Sequence, residues 1–175
     1  MSRNRKPTFN ELFNRIDGEM VIVETGTIRN DEPRYMRGDG HSARKFAEYL
    51  RFNGGVLYSI DIDPDAVKLA KSILNIQYSD VEIHVIHSDS VQWLSNFEGD
   101  IDVLYLDSAN DSELILNEAK AGCPKLKKGG YLLIDDIDES LGEKGKLVIP
   151  YLEKEGYELI KKDYQALFRK PFNTR

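Results

Sequence analysis

Six carboxylates occur where short apolar segments of the sequence end, and these residues could do chemistry together. They are Glu24, Asp61, Asp89, Asp107, Asp135 and Asp136. A single acid in such a place is usually a turn residue or a helix cap. Here the pattern repeats after five consecutive apolar segments. Carboxylates accept hydrogen bonds from ligand hydroxyls and are hard ligands for divalent cations. The repetition therefore predicts a binding site along one edge of the fold.

The apolar segments before these acids are predicted to be buried parallel strands. They span Met20–Glu24, Val56–Ile60, Val81–Ile86, Ile101–Leu106 and Tyr131–Ile134. Stretches with apolar residues at helical spacing alternate with them, as in Ala43, Phe46, Ala47 and Leu50. In such a sheet, ligands bind outside the carboxyl ends of the strands. This arrangement would bring the acids to one side of the molecule.

Two further strand candidates, Tyr157–Lys161 and Gln165–Lys170, follow the last helix and must pair antiparallel, because no helix separates them. The predicted fold class is therefore α/β: a doubly wound, Rossmann-like, mostly parallel seven-stranded sheet with a C-terminal antiparallel hairpin and helices on both faces. We expect a single domain over residues 1–175, with an N-terminal helix region at 1–18.

Local signals predict how several elements begin and end. Residues 2–6 are expected to form a basic, frayed start, followed by a helix with Thr8 as its N-cap. Ser42 is the predicted N-cap of the next helix. Pro150 is expected to kink or break the last helix, predicted over Glu143–Glu155.

A long loop is predicted at residues 25–40, TGTIRNDEPRYMRGDG. It exceeds the length of about two to six residues that is normal for a strand–helix connection. A functional lid and a disordered insertion are both compatible with this length. Arg29, Arg34 and Arg37 could clamp an anionic substrate group, or could simply be solvated.

Composition limits the classes of partner. The net charge of −6 argues against a nucleic-acid backbone as the main partner. No apolar run approaches the ~20 residues of a membrane span, and the single cysteine, Cys123, permits no internal disulfide. We therefore expect a cytoplasmic protein with no membrane partner, and a homo-oligomer is compatible with the sequence.

The first two strand ends suggest a nucleoside ligand. Asp61 is placed to accept hydrogen bonds from the two hydroxyls of a ribose. Gly26 lets backbone N–H groups approach a ligand closely. The G-x-G-x-x-G fingerprint is absent, however, which disfavours a nicotinamide or flavin dinucleotide.

Taken together, the motifs resemble those of class I S-adenosyl-L-methionine (SAM)-dependent methyltransferases. The matching segments are VIVETGT, LYSIDIDPDAV, HSDSVQWL, IDVLYLDSAN and GGYLLIDD. The resemblance implies a cofactor site formed by Glu24, Gly26, Asp61, Ile62, Asp89, Ser90 and Asp107. In that site Glu24 and Gly26 would line the methionine part and Asp61 would hold the ribose. The adenine would contact Asp89 and Ser90, with Ile62 bordering its face.

Within this class, LYLDSAN and LLIDD look like the metal-dependent O-methyltransferases. The resemblance implies that Asp107, Asp135 and Asp136 bind Mg²⁺, which would lower the pKa of a substrate hydroxyl. The expected methyl acceptor is then a hydroxyl of a small molecule, such as a natural product or a sugar. In the alternative interpretation, Asp135 and Asp136 cap a loop and Asp107 contacts only SAM.

The catalytic candidates are Asp107, Asn110 and His41. The catechol-type enzymes carry a lysine three residues after the first metal acid, but this chain has Asn110 there, so a lysine base is not transferable. His41 could be a general base, or an inert surface residue beside a helix cap. A catalytically inactive SAM-fold module for binding or assembly is the alternative function.

Overall fold

The computed structural model describes residues 4–31, 41–137 and 143–172. The strands in these ranges are β1 (Met20–Thr25), β2 (Gly55–Asp61), β3 (Glu82–His87), β4 (Ile101–Leu106), β5 (Leu126–Ile134), β6 (Glu158–Lys162) and β7 (Ala166–Arg169). They form one sheet in the order β3-β2-β1-β4-β5-β7-β6. The first five strands are parallel, whereas β7 pairs antiparallel with both β5 and β6. The predicted mostly parallel sheet with its terminal hairpin is confirmed.

The helices in the same ranges are α1 (Lys6–Phe13), α2 (Ser42–Asn53), α3 (Pro64–Gln77), α4 (Ser90–Asn96), α5 (Ser112–Gly122) and α6 (Gly145–Lys154). One cluster of buried side chains joins α1, α2 and α3 to the sheet, and a second joins α4, α5 and α6 to it. Helices therefore cover both faces, as predicted. None of the helices in the described ranges is long and apolar enough to cross a bilayer.

Strand β4 shows why the central strands are mostly apolar, since from Val103 to Leu106 every side chain of this strand is buried in a hydrophobic cluster. Val103 and Tyr105 lie in the first cluster, whereas Leu104 and Leu106 lie in the second. Successive side chains of a strand point to opposite faces, so a stretch of strand that is covered on both faces is apolar at successive positions. The chain leaves this apolar environment at Asp107, where the polar edge of the sheet begins.

Several predicted element ends were wrong. Arg5, not Thr8, occupies the N-cap position of α1, and Thr8 is buried inside the helix. His41, not Ser42, is the N-cap of α2, because the Ser42 hydroxyl donates to Glu24 instead of capping its own helix.

The last helix lacks the predicted break, and it spans Gly145–Lys154 instead of Glu143–Glu155. Pro150 neither ends nor breaks α6, which continues to Lys154. Val148 and Leu152, on either side of the proline, are fully buried in the second cluster. Their burial holds the helix together although the proline lacks the N–H that an uninterrupted helix would use. The long loop predicted at 25–40 lies outside the described residues from 32 onward, and so do Arg34 and Arg37.

Candidate active site

The carboxyl ends of β2, β1 and β4 lie side by side, and the loop after β1 packs directly on the end of β4. The N–H of Gly26 donates to the carbonyl of Ile60 at 2.8 Å, and the N–H of Asp107 donates to the carbonyl of Thr25 at 3.0 Å. Gly26 has φ 84°, and a Cβ there would lie 2.4 Å from the carbonyl oxygen of Asp107. Only glycine allows this close approach of two backbones.

Asp61 ends β2 as a nearly buried carboxylate that organises the turn around it. One oxygen accepts the N–H of Thr27 at 3.0 Å, and the other accepts the N–H of Asp63 at 2.9 Å. Arg29 places its Nε 3.5 Å from Asp61 and donates from Nη2 to the carbonyl of Ser108 at 2.7 Å. A carboxylate oxygen has more than one acceptor site, so Asp61 retains capacity for ligand hydroxyls.

Glu24 lies inside the sheet, with both carboxylate oxygens engaged. Ser59 donates to one oxygen at 2.6 Å, and Ser42 donates to the other at 2.7 Å. Burial raises the pKa of Glu24 from its ordinary 4.5 to about 7, although the two serine hydroxyls counteract this rise. Glu24 thus links β1, β2 and the start of α2 beneath the predicted cofactor edge.

The predicted adenine contacts lie at the ends of β2 and β3. Ile62 is 68% exposed, directly after buried Asp61. The Asp89 carboxylate is the N-cap of α4 and accepts the N–H of Gln92 at 2.8 Å. Ser90 donates its hydroxyl to Glu118 at 2.5 Å. An exposed isoleucine between polar neighbours is suited to cover one face of a planar ring.

Glu118 is a residue of this edge that the sequence interpretation missed. It is fully buried on α5 and accepts the hydroxyl of Thr25 at 3.0 Å as well as that of Ser90. Burial raises the pKa of Glu118, and these hydroxyls oppose the rise. Its position between Ile115 and Ala119, on the apolar face of α5, was the signal that could have revealed it.

The predicted acidic cluster forms at the ends of β4 and β5. Asp107, Asp135 and Asp136 each direct a carboxylate oxygen to within 4.8 Å of the other two. Strands β4 and β5 pair side by side, so the acids that follow them converge. Asp136 adopts a left-handed backbone conformation, with φ 47°.

Two cations of the same chain bind this cluster. The Arg5 Nη2 lies 2.5 Å from Asp135 and 3.2 Å from Asp136. The Lys144 Nζ lies 2.5 Å from Asp107 and 3.5 Å from Asp136. Burial opposes the charge on both cations, yet the attraction of the acids prevails and raises the pKa of Arg5 and of Lys144. Both side chains are almost inaccessible to solvent.

Further contacts occupy the remaining oxygens of the cluster. Gln165 donates its amide to Asp135 at 2.8 Å. The Tyr164 hydroxyl donates to Asp136. Tyr164 is buried, and its hydroxyl belongs to this network.

These contacts determine whether the cluster can hold Mg²⁺. Three carboxylates are the right ligand type, and their spacing permits a shared ion. All three acids already have a cationic partner, however, and an additional divalent ion would compete with Lys144 for the same oxygens. In this arrangement the residues do not fit a resident divalent metal.

The three catalytic candidates differ in their exposure to solvent. Asn110 is exposed, four residues beyond the end of β4 at Leu106. His41 is buried at 5% exposure with φ 45°, so the expectation of a surface residue was wrong. Asp107 lies at the edge of the sheet, where Tyr105 donates its hydroxyl to it at 3.2 Å.

Comparisons with known proteins agree with this fold. The sequence model of a family described as "Methyltransferase domain" matches residues 37–137, more than half of the chain. A comparison with curated proteins gives no significant match. The chain belongs to this methyltransferase family, and its fold is that of the class I SAM-dependent methyltransferases.

Three solved structures illustrate the shared fold. A putative rRNA methylase from Clostridium thermocellum has a TM-score of 0.66 at 13% identity, covering 94% of this chain and 96% of that one. A putative caffeoyl-CoA O-methyltransferase from Staphylococcus aureus has a TM-score of 0.68 at 17% identity, covering 94% and 83%. MycE of the mycinamycin pathway, in complex with Mg, S-adenosylhomocysteine (SAH) and mycinamycin VI, has a TM-score of 0.68 at 16% identity, covering 95% and 50%.

Proposed function

We propose that this protein transfers the methyl group of SAM to a hydroxyl of a small molecule, such as a natural product or a sugar. One observation carries the proposal: a buried carboxylate, Asp61, stands beside the exposed side chain of Ile62 at the carboxyl end of β2. This pair offers a hydrogen-bond acceptor for a ribose and an apolar surface for a base.

In the proposed complex the cofactor crosses the ends of β2, β1 and β4. Asp61 accepts the ribose hydroxyls, and Ile62 covers the adenine together with Asp89 and Ser90. The methionine part follows the loop of Gly26, above Glu24. Arg29 now spans from Asp61 to the carbonyl of Ser108, so it must move or share Asp61 when the ribose binds.

A small-molecule acceptor is favoured over a nucleic acid by charge. The chain carries a net charge of −6, and the six acids at the strand ends outnumber Arg5, Arg29 and Lys144, cations that pair with them. Such a surface repels a phosphate backbone. The O-methyltransferase and MycE neighbours provide analogies for hydroxyl methylation, whereas the rRNA-methylase neighbour provides the competing one.

When bound, SAM supplies an electrophilic methyl group, and the protein holds the acceptor oxygen in line with it. Asp107, Asn110 and His41 remain the proposed catalytic residues. Mg²⁺ assistance, which the resemblance implies, is the part that the geometry supports least, because Arg5 and Lys144 engage the ligand carboxylates. We therefore propose no step that requires the metal.

Calorimetric titration with SAH tests the proposal. The wild-type protein should bind SAH, and Asp61→Ala should lose this binding, while Asp65→Ala, an exposed acid on α3, should bind normally. Asp61 also accepts two backbone N–H groups, so Asp61→Asn is the second variant: it keeps the shape of the side chain and one of the two acceptor oxygens, and it should also bind SAH more weakly than the wild-type protein. No binding of millimolar SAH by the wild-type protein would contradict the proposal.

The alternative, a catalytically inactive SAM-fold module for binding or assembly, draws on the contact between Arg29 and Asp61. Arg29 of the same chain lies beside Asp61, the acid proposed to bind the ribose, and this contact is compatible with a site that no longer binds a nucleoside. Native mass spectrometry of the purified protein distinguishes the two. Co-purified SAM or SAH supports the proposed methyltransferase activity. A protein that carries no nucleoside after purification and does not bind added SAH supports the inactive module.

A further inference from the structure

We infer that the acidic cluster of Asp107, Asp135 and Asp136 uses Lys144 as its cation in place of a divalent metal ion. Lys144 bridges two of the three acids, with Nζ 2.5 Å from Asp107 and 3.5 Å from Asp136. A shared metal would have to contact the same two acids. This inference concerns metal binding and does not depend on the proposed methyl acceptor.

The charges of the cluster support this assignment. Arg5 neutralises Asp135, the most buried of the three acids, through both oxygens. Two carboxylates then remain, and Lys144 balances one of them. A divalent ion added to both cations would leave the cluster with net positive charge in a poorly solvated place, which is unfavourable. Metal binding therefore requires that Lys144 leave.

The position of Lys144 is fixed by the packing of its helix. Lys144 is the N-cap residue of α6, and its side chain is 3% exposed. The next residue, Gly145, packs so closely that a Cβ would lie 3.2 Å from the Cβ of Ile137, the residue after Asp136. Val148 anchors the same helix in the second cluster. The backbone from which the Lys144 side chain extends is thus held beside the cluster by the core.

The structure differs at one point from the metal site that the resemblance implies. The resemblance to the metal-dependent O-methyltransferases implies that Asp107, Asp135 and Asp136 bind Mg²⁺, and the sequence has these three acids. The difference is that Lys144, at the start of α6, pairs with Asp107 and Asp136. The same acids can therefore be retained for ion pairing, with no metal-binding role.

Titration with Mn²⁺, followed by electron paramagnetic resonance of the free ion, tests the inference on the full chain. The wild-type protein should bind no Mn²⁺ at the cluster. Lys144→Ala and Lys144→Gln should each gain one Mn²⁺ site, with an affinity at least about tenfold above any wild-type binding, because a close positive charge has been removed. Adding Asp107→Asn to either variant should abolish the gain.

Lys146→Ala is the matched control, since Lys146 lies two residues away, is exposed and forms an ion pair with the exposed Glu143. It should behave as the wild-type protein does. Circular dichroism establishes that each variant is folded, and Lys144→Gln keeps most of the buried stem if the alanine variant unfolds. Stoichiometric Mn²⁺ binding by the wild-type protein that Asp107→Asn removes would overturn the inference. Folded Lys144 variants that gain no site would overturn it as well.

Discussion

The α-carbon of Gly26 and the carbonyl group of Asp107 are in direct contact across the boundary between β1 and β4. A Cβ on Gly26 would lie 2.4 Å from that oxygen and 2.9 Å from the carbonyl carbon. The backbone atoms of Asp107 cannot move aside as easily as the end of a flexible side chain could. This contact couples the loop that is proposed to hold the cofactor with the acid that ends β4.

Gly26→Ala should therefore destabilise the fold and weaken SAH binding. The matched control is Gly156→Ala, since Gly156 has a similar φ of 80° but no atom within 4 Å of a Cβ. We expect Gly156→Ala to cost about 1 kcal/mol for its left-handed conformation alone. Gly26→Ala should cost about 2 kcal/mol more, because it also forces two backbones apart. Urea denaturation measures both, and equal losses would show that the contact is unimportant.

Ile62→Ala should weaken SAH binding without affecting the fold. Ile62 is 68% exposed, so it contributes little to the core, but in the proposed complex it covers the adenine. The loss of this apolar contact should lower the affinity for SAH about fivefold, or about 1 kcal/mol. Ile76→Ala is the control, because Ile76 is 81% exposed on α3 and away from the strand ends. Calorimetry that finds the same affinity for both variants would place the adenine elsewhere.

Arg5→Ala should be strongly destabilising although it lies near the start of the described chain. The substitution leaves the fully buried Asp135 without its cation, a loss that typically costs about 3 kcal/mol or more. Arg15→Ala, at an exposed pair with Glu11, should leave the stability unchanged. Thermal denaturation compares the two. Similar melting temperatures for both variants would contradict the importance of the buried pair.

Glu24→Gln should remove part of the pH dependence of stability. The pKa of Glu24 is raised by burial to about 7 in the folded chain, against an ordinary 4.5. Between these values the folded state binds more protons than the unfolded state, so stability falls as the pH rises from about 4.5 to 7 and then levels off. The fall amounts to about 3 kcal/mol.

The glutamine variant lacks this titration, so its stability relative to the wild-type protein should increase with pH over the same range. Urea denaturation at pH 5, 6, 7 and 8, roughly spanning the transition, measures the difference. Glu48→Gln, which removes the same charge from the exposed surface of α2, serves as the control. Parallel stability curves for Glu24→Gln and the wild-type protein would show that Glu24 does not titrate in this range.

The central strands were predictable because burial on both faces imposes a continuous apolar pattern. The predicted bounds of β4 agree with those in the structure. Strand β5 was predicted to begin at Tyr131, but it begins at Leu126, which pairs with Ile101 before the register shifts. Pairing of this kind depends on the neighbouring strand and is not visible in the local sequence.

The acids of the site were predictable, but their partners were not. Asp107, Asp135 and Asp136 each follow a strand, so their convergence follows from strand order. Arg5 was expected in a frayed start and is instead buried. Lys144 carries no local signal, because its contact with Asp107 depends on where α6 docks. Long-range ion pairs arise from tertiary packing, which the spacing of residues along the chain does not encode.

The ion pair between Arg5 and Asp135 also bears on the order in which the protein is completed during synthesis. The two residues are separated by 130 positions, and Gln165, which bonds the same carboxylate, is made later still. A nascent chain that ends after β4 contains Arg5 and Asp107 but neither Asp135 nor Gln165. The acidic cluster of Asp107, Asp135 and Asp136 therefore gains its full set of partners only after the final hairpin has left the ribosome.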